Sequence, residues 1–254
     1  MLAAIERGDA EKLSELMRQD PDFDVNKDHG KGWTLLHVVC NKNSRSDMIP
    51  LLQAHPDINV NLRSAFGNTV FEFVCLCGLT SCVRELLKDS RVAVNEPAGN
   101  GCTPLWRAAF WGHLNTIKWW VASGREMNLG KPGDIDNTDA IGAAKNQGKT
   151  EVVTLLERFK ENPRETRHAM RLELGLVDAL AAEMFAVVVF VSDGLLQVGN
   201  VVDSTPAAAR FFRIVSQLPL ELQMILCYRF VSSSKEIISG KDSEMAFRCL
   251  AKRI

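Results

Sequence analysis

The sequence predicts an all-α protein: a solenoid of about five helix-turn-helix units, followed by a C-terminal helical domain. Three ladders carry that expectation. The segments Thr34-Leu-Leu-His37, Thr69-Val-Phe-Glu72, Thr103-Pro-Leu-Trp106 and Asp139-Ala-Ile-Gly142 start 35, 34 and 36 residues apart. A second ladder of about the same period runs through Val25-Asn26, Val60-Asn61, Val94-Asn95 and Met127-Asn128. A third places apolar pairs at Leu51-Leu52, Leu86-Leu87, Trp120-Val121 and Leu155-Leu156. Self-similarity at a fixed period of this size is the mark of stacked repeats.

Each unit reads the same way from its start. A threonine or aspartate caps the first helix, and Pro104 adds a fixed φ suited to its first turn. Small residues follow six positions on, at Cys40, Cys75 and Ala109. They let neighbouring helix pairs approach closely. Gly78, Gly112 and Gly148 stand nine positions after the cap and can take φ > 0 to turn the chain. A second apolar-periodic helix then leads into the Val-Asn segment and the next cap.

Composition narrows the function classes. The 254 residues are 46% hydrophobic and 24% charged, the profile of an ordinary globular chain. Thirty basic against thirty-one acidic residues leave a net charge of -1 and no basic field for nucleic acid. Seven cysteines without a CxxC pair point to a reducing compartment, so a cytoplasmic location is expected, with the nucleus open. The apolar stretch Met184–Ser192 is too short for a membrane span and is closed by Glu183 and Asp193.

The run Thr103-Pro-Leu-Trp-Arg-Ala-Ala-Phe-Trp-Gly-His113 resembles the signature of the ankyrin repeat family, T-P-L-H-x-A-A-x-x-G-H. Met1–Lys31 looks like a first repeat of that family, and Asp139 to Leu156 like a last one. The resemblance covers roughly residues 1–160 and implies five units, a curved stack with β-hairpin fingers, and binding of other proteins without chemistry. Four departures stand out. Asn43–Ser46 inserts into the second unit, Val70 replaces the proline, Arg107 takes a slot that is apolar elsewhere, and Leu129–Thr138 lengthens the last finger.

The period ends after Phe159, and residues 163–254 read as a separate helical domain. Asn162-Pro163-Arg164-Glu165 has a cap, a proline at the first helical position and a capping-box glutamate, opening a helix that closes at Gly175. Val177–Ser192 reads as an apolar helix, with a buried strand at Val187–Val191 as the alternative. Further starts fall at Ser204-Thr205-Pro206, Leu218-Pro219 and Asp242-Ser243. The stretch Leu218–Leu226 resembles the opening of an F-box, L-P-x-E-L-x-x-x-I-L. That likeness implies docking to a cullin-type ubiquitin ligase scaffold through Leu218, Pro219, Leu222 and Leu226. The other reading of the same residues is an ordinary capped core helix.

Chemical signatures are sparse. No Gly-rich phosphate loop follows a strand, and Cys75, Cys77, Cys82 and Cys102 lack zinc-site spacing. Cys40 and Cys75 fit the small packing slot, and His37 and His113 fit structural positions of the repeat. An enzyme housed in the C-terminal part would have His168 as its one histidine, with acids at Glu165, Glu173, Asp178 and Glu183. Those acids also fit a solvated helix face. The expectation is therefore a monomeric, non-enzymatic protein with no cofactor, metal, nucleic acid or membrane partner.

Surface slots carry the functional expectation. In an ankyrin-like unit the residue before the cap points into the finger, and the two after the small pair line the concave face. These slots hold Trp33, Asn41 and Lys42; then Asn68, Leu76 and Cys77; then Cys102, Phe110 and Trp111. Phe66 lies in a finger. Trp33, Phe66, Leu76, Phe110 and Trp111 are thus the candidate recognition surface, for a protein partner or for the chain's own C-terminal domain.

Overall fold

The computed structural model describes residues 1–130, 138–196, 207–231, 238 and 240–251. By packing, the chain divides into two units, Met1–Met170 and Arg171–Ile254.

Among the described residues, five helix pairs fill the first unit. They are α1 (Leu2–Arg7) with α2 (Ala10–Gln19), α3 (Leu35–Val39) with α4 (Ile49–Gln53), and α5 (Val70–Cys77) with α6 (Thr80–Leu86). Then come α7 (Pro104–Trp111) with α8 (Leu114–Ser123), and α9 (Ala140–Asn146) with α10 (Thr150–Glu161). First helices stack on first helices, α1 on α3, α5 on α7 and α7 on α9. Second helices do the same, α4 on α6, α6 on α8 and α8 on α10. The core runs between the two layers. It buries Ile5, Leu36, Phe71, Leu105 and Trp120, and Trp120 meets Phe71 edge-on at 5.0 Å across one repeat. Burying a side chain of this size contributes about 2–3 kcal/mol.

The expected caps form. Thr69 and Thr103 Oγ1 each accept the backbone N–H three residues on, at 3.2 Å, and Asp139 Oδ1 does so at 2.7 Å. Gly78 ends α5 with φ +67, and the His113 ring lies where a Cβ would stand. Both facts demand glycine there. Three fingers are closed by backbone bonds from His29 N to Trp33 O, Ser64 N to Asn68 O and Ala98 N to Cys102 O at 2.8–2.9 Å, each with a second bond inside it, Trp33 N to Gly30 O, Gly67 N to Ser64 O and Gly101 N to Ala98 O at 2.9–3.1 Å. Loops this short leave one antiparallel bridge, Arg63 with Thr69, as the β pairing among the described residues.

The Val-Asn ladder has a physical cause that spans units. Asn26 Nδ2 donates to Asp57 O and its Oδ1 accepts from Asn59 N. Asn61 does the same with Arg91 O and Ala93 N, and Asn95 with Glu126 O and Asn128 N. Each amide therefore satisfies one carbonyl and one N–H of the following repeat. Asn61→Ala is expected to lose both bonds and about 1–2 kcal/mol of stability. A lowered urea midpoint at unchanged slope checks this; an unshifted midpoint would mean the ladder is decorative.

The insertion in the second unit forms a 3-10 turn, Asn43–Met48. Arg45 is buried in it, with Nη2 donating to Glu6 O at 2.9 Å and Nη1 to Val38 O at 3.2 Å. The lengthened finger falls largely outside the described residues, which resume at Thr138.

One more helix belongs to the first unit for most of its length: α11 (Pro163–Glu173). Asn162 Oδ1 caps it by accepting from Glu165 N at 3.2 Å. Buried Thr166 donates to Arg158 O at 3.0 Å, and the Arg167 guanidinium sits 5.4 Å over the Phe159 ring. These contacts hold α11 on α10.

The second unit contains α12 (Leu176–Ser192), α13 (Ala207–Val215), α14 (Leu220–Phe230) and α15 (Gly240–Ala251). The strand alternative at Val187–Val191 is not adopted; the segment is the last part of α12. Ala181, Ala182 and Ala186 are buried on α12, which packs against α13, α14 and α15 around Phe185, Val188, Cys227 and Tyr228. Small residues on one face permit that close approach. Among the described residues no single helix is long and apolar enough to cross a membrane.

Candidate recognition surface of the stack

The wall made by the first helices is built from recurring slots, and the structure shows what each holds. The third residue after each cap is His37, Glu72, Trp106 and Gly142. His37 is buried, its Nδ1 3.0 Å from Thr34 Oγ1, and burial holds its imidazole below the ordinary value despite the Asn68 backbone. It is a structural histidine. Glu72 is 0% exposed, and its carboxylate has no hydrogen-bond donor among the described residues. Its counter-charge is Arg107 of the next repeat, Nε to Oε1 3.2 Å, with the guanidinium side chain 18% exposed. Burial pushes the Glu72 carboxyl up, and Arg107 and then Arg63 only partly offset it. The odd arginine noted in the sequence is therefore the partner of an odd glutamate 35 positions earlier.

The next slots form an aromatic cluster on α7. Trp106 is buried against Cys102 and Ala143, and Phe110 stacks on it with centroids 5.0 Å apart and planes 17° apart. Trp111 meets Phe110 edge-on at 5.4 Å and is 55% exposed. Cys102 lies in the finger, its carbonyl accepting from Ala98 N at 2.9 Å, and its side chain is buried against Trp106. On α5, Leu76 is half-buried, and its carbonyl accepts from His113 Nε2 at 3.0 Å. Trp33 is half-buried too, edge-on to Phe73 at 5.3 Å and tilted to His37 at 6.1 Å. Phe66 is 64% exposed and stands in no ring contact among the described residues. So the structure joins Phe110 with Trp111, and Trp33 with Phe73, and leaves Phe66 alone on its finger.

Sequence reasoning missed Phe73 and Trp106 as supports. Their signal was spacing: Phe73 lies a turn before Cys77, and Trp106 a turn before Phe110.

The family model described as "Ankyrin repeats (3 copies)" matches residues 1–94 and 42–131, more than half of the chain. The chain belongs to the ankyrin repeat family. A solved structure titled "Crystal Structure of EF0377 an Ankyrin Repeat Protein" is similar at 20% identity and a TM-score of 0.49, covering 61% of this chain and 95% of that one. Membership in this family marks the ankyrin stack as a protein-interaction module.

Cys40, Cys75, Cys82 and Cys102 are buried in packing positions, and burial pushes the Cys40 and Cys75 thiols well up. Among the described residues no three His, Cys, Asp or Glu side chains are grouped as a metal site would need. In the C-terminal unit, Pro219 is exposed and Leu222 is 46% exposed, while Leu218 is half-buried and Leu226 packs against that unit's core. Of the acids, Glu165, Glu173 and Glu183 are exposed and Asp178 is half-buried, as is the histidine His168.

Proposed function

We propose that the protein is a non-catalytic, cytoplasmic and monomeric adaptor that recognises a protein partner on the first-helix wall of its stack. The observation that supports this is Trp111, a large aromatic left exposed while Phe110 and Trp106 brace it from below. A rigid, braced aromatic loses little freedom on binding, and such residues dominate interface energetics. Leu76 and Trp33 extend the apolar surface, and Phe66 supplies a separate finger contact. The test is binding of selected peptides or partners to the full chain and to Trp111→Ala. Loosening of residues 163–254 in hydrogen exchange on that substitution, with no partner added, would assign the stripe to the chain's own C-terminal part.

A second reading concerns Leu218, Pro219, Leu222 and Leu226 as a docking segment for a cullin-type ligase scaffold. Exposed Pro219 and half-exposed Leu222 at the start of α14 favour it. Replacing Leu218 and Pro219 with alanine should then abolish scaffold capture; full-length protein that captures no scaffold at tens of micromolar removes the proposal.

A further inference from the structure

We propose that the occupant of the first-helix wall is an acidic peptide segment that carries an aromatic or branched aliphatic anchor. This rests on the recognition reading above and adds the partner's charge.

The paired slots at the ends of the first helices hold Glu6 and Arg7, Asn41 and Lys42, Leu76 and Cys77, Phe110 and Trp111, and Asn146 and Gln147. Glu6 and Arg7 are adjacent, exposed and opposite, so they cancel. Glu72, the other carboxylate on the first helices, is wholly buried on Arg107, and the half-buried cap Asp139 keeps its charge, with Oδ1 accepting from the Gly142 N–H. Among the cations, Lys145 is paired with Glu157 at 2.7 Å, and in the adjoining finger Arg63 is paired with Glu96 at 2.9 Å. Lys42 and Lys149 have no carboxylate partner among the described residues. Among the described residues of the first helices and the turns that follow them, these two ammonium groups are left over, and by slot both border the apolar stripe.

Their placement sets a pattern. Lys149 crosses Gly112, the residue after Trp111; a Cβ added there would stand 2.7 Å from Lys149 Cδ. Lys42 occupies the slot of Trp111 two repeats earlier. At about 8–10 Å per packed helix, that is roughly 20 Å from Trp111. An extended peptide covers this distance in about six residues. A ligand whose anchor sits on Trp111 and Phe110 thus meets one cation beside the anchor and another about six residues away. A basic segment would meet two unpaired like charges and would be disfavoured on approach.

The full-length protein is first used to select from a random displayed peptide library. Two synthetic probes are then titrated: a capped peptide with a central tryptophan flanked by glutamates, and its twin flanked by lysines. Expected are acidic residues around aromatic or leucine anchors in the selected set. The glutamate probe should bind about tenfold or more tighter than its twin at low salt, and the preference should shrink at high salt. Lys42→Glu with Lys149→Glu should reverse it, and Lys42→Ala with Lys149→Ala should flatten it, both at unchanged helicity. Selected peptides that need Trp111 but carry no acidic excess, or twins that bind alike, overturn the charge inference and leave the recognition surface standing. Binding that is absent or indifferent to Trp111→Ala overturns both.

Discussion

Replacing Arg107 with methionine is expected to destabilise the stack by about 3 kcal/mol near neutral pH, the lower end of the range for breaking a buried pair. The lower end applies because Arg107 is 18% exposed, while Glu72 is 0% exposed and would be left as an unpaired carboxylate with no donor. The pH dependence has a definite sign. Burial already raises the Glu72 carboxyl above its ordinary value, against the pull of Arg107 and Arg63. Removing Arg107 raises it further. A carboxyl raised in the folded state contributes stability below its unfolded value and loses it as pH rises through the folded value. The Arg107→Met defect should therefore shrink on going from about pH 7.5 to about pH 5. Adding Glu72→Gln should recover much of it at neutral pH, because no charge is then buried alone. Urea denaturation of both variants at the two pH values is the measurement. A defect below about 1 kcal/mol, or one equal at both pH values, would mean the pair contributes no more than a surface bridge.

Trp111→Ala is expected to weaken partner binding by tenfold or more while leaving far-UV circular dichroism unchanged. Covering the exposed part of a large aromatic contributes about 2–3 kcal/mol at most, and tenfold corresponds to about 1.4 kcal/mol. The fold should not feel the loss, since Trp111 is 55% exposed and its ring contact is the edge of Phe110. Phe110→Ala offers the contrast. That ring also stacks on buried Trp106, so its removal should lower stability as well as affinity. Calorimetric titration with thermal melts separates the two. If Trp111→Ala binds as the parent does, Trp111 is an ordinary exposed aromatic.

The site was only half legible before the structure. Spacing located Phe110 and Trp111 on the wall, since a slot that recurs every 34 to 36 residues must return to the same face of the stack. It placed Cys102 in the finger, where its carbonyl accepts from Ala98 N, but could not show that its side chain is buried with Trp106 and Ala143 of the following repeat. Arg107 looked like a departure from an apolar slot, and became intelligible once Glu72 was seen buried 3.2 Å away.

What the sequence determined by itself was whatever acts within a few residues or repeats at a fixed period. The caps at Thr69, Thr103 and Asp139, the turn at Gly78 and the number of helix pairs all belong here, because each depends on local backbone geometry and helical spacing. Tertiary structure alone decided everything that reaches across about 30 residues or more. It gave the Asn26, Asn61 and Asn95 amides their partners in the next loop, buried Glu72 on Arg107, and braced Trp111 on the Phe110–Trp106 stack. In the C-terminal unit it turned Val187–Val191 into helix, because the alanine face of α12 could be covered by α13, α14 and α15. The reason is the same in each case. Burial and pairing are properties of two segments, and the spacing of one segment does not say which other will lie against it.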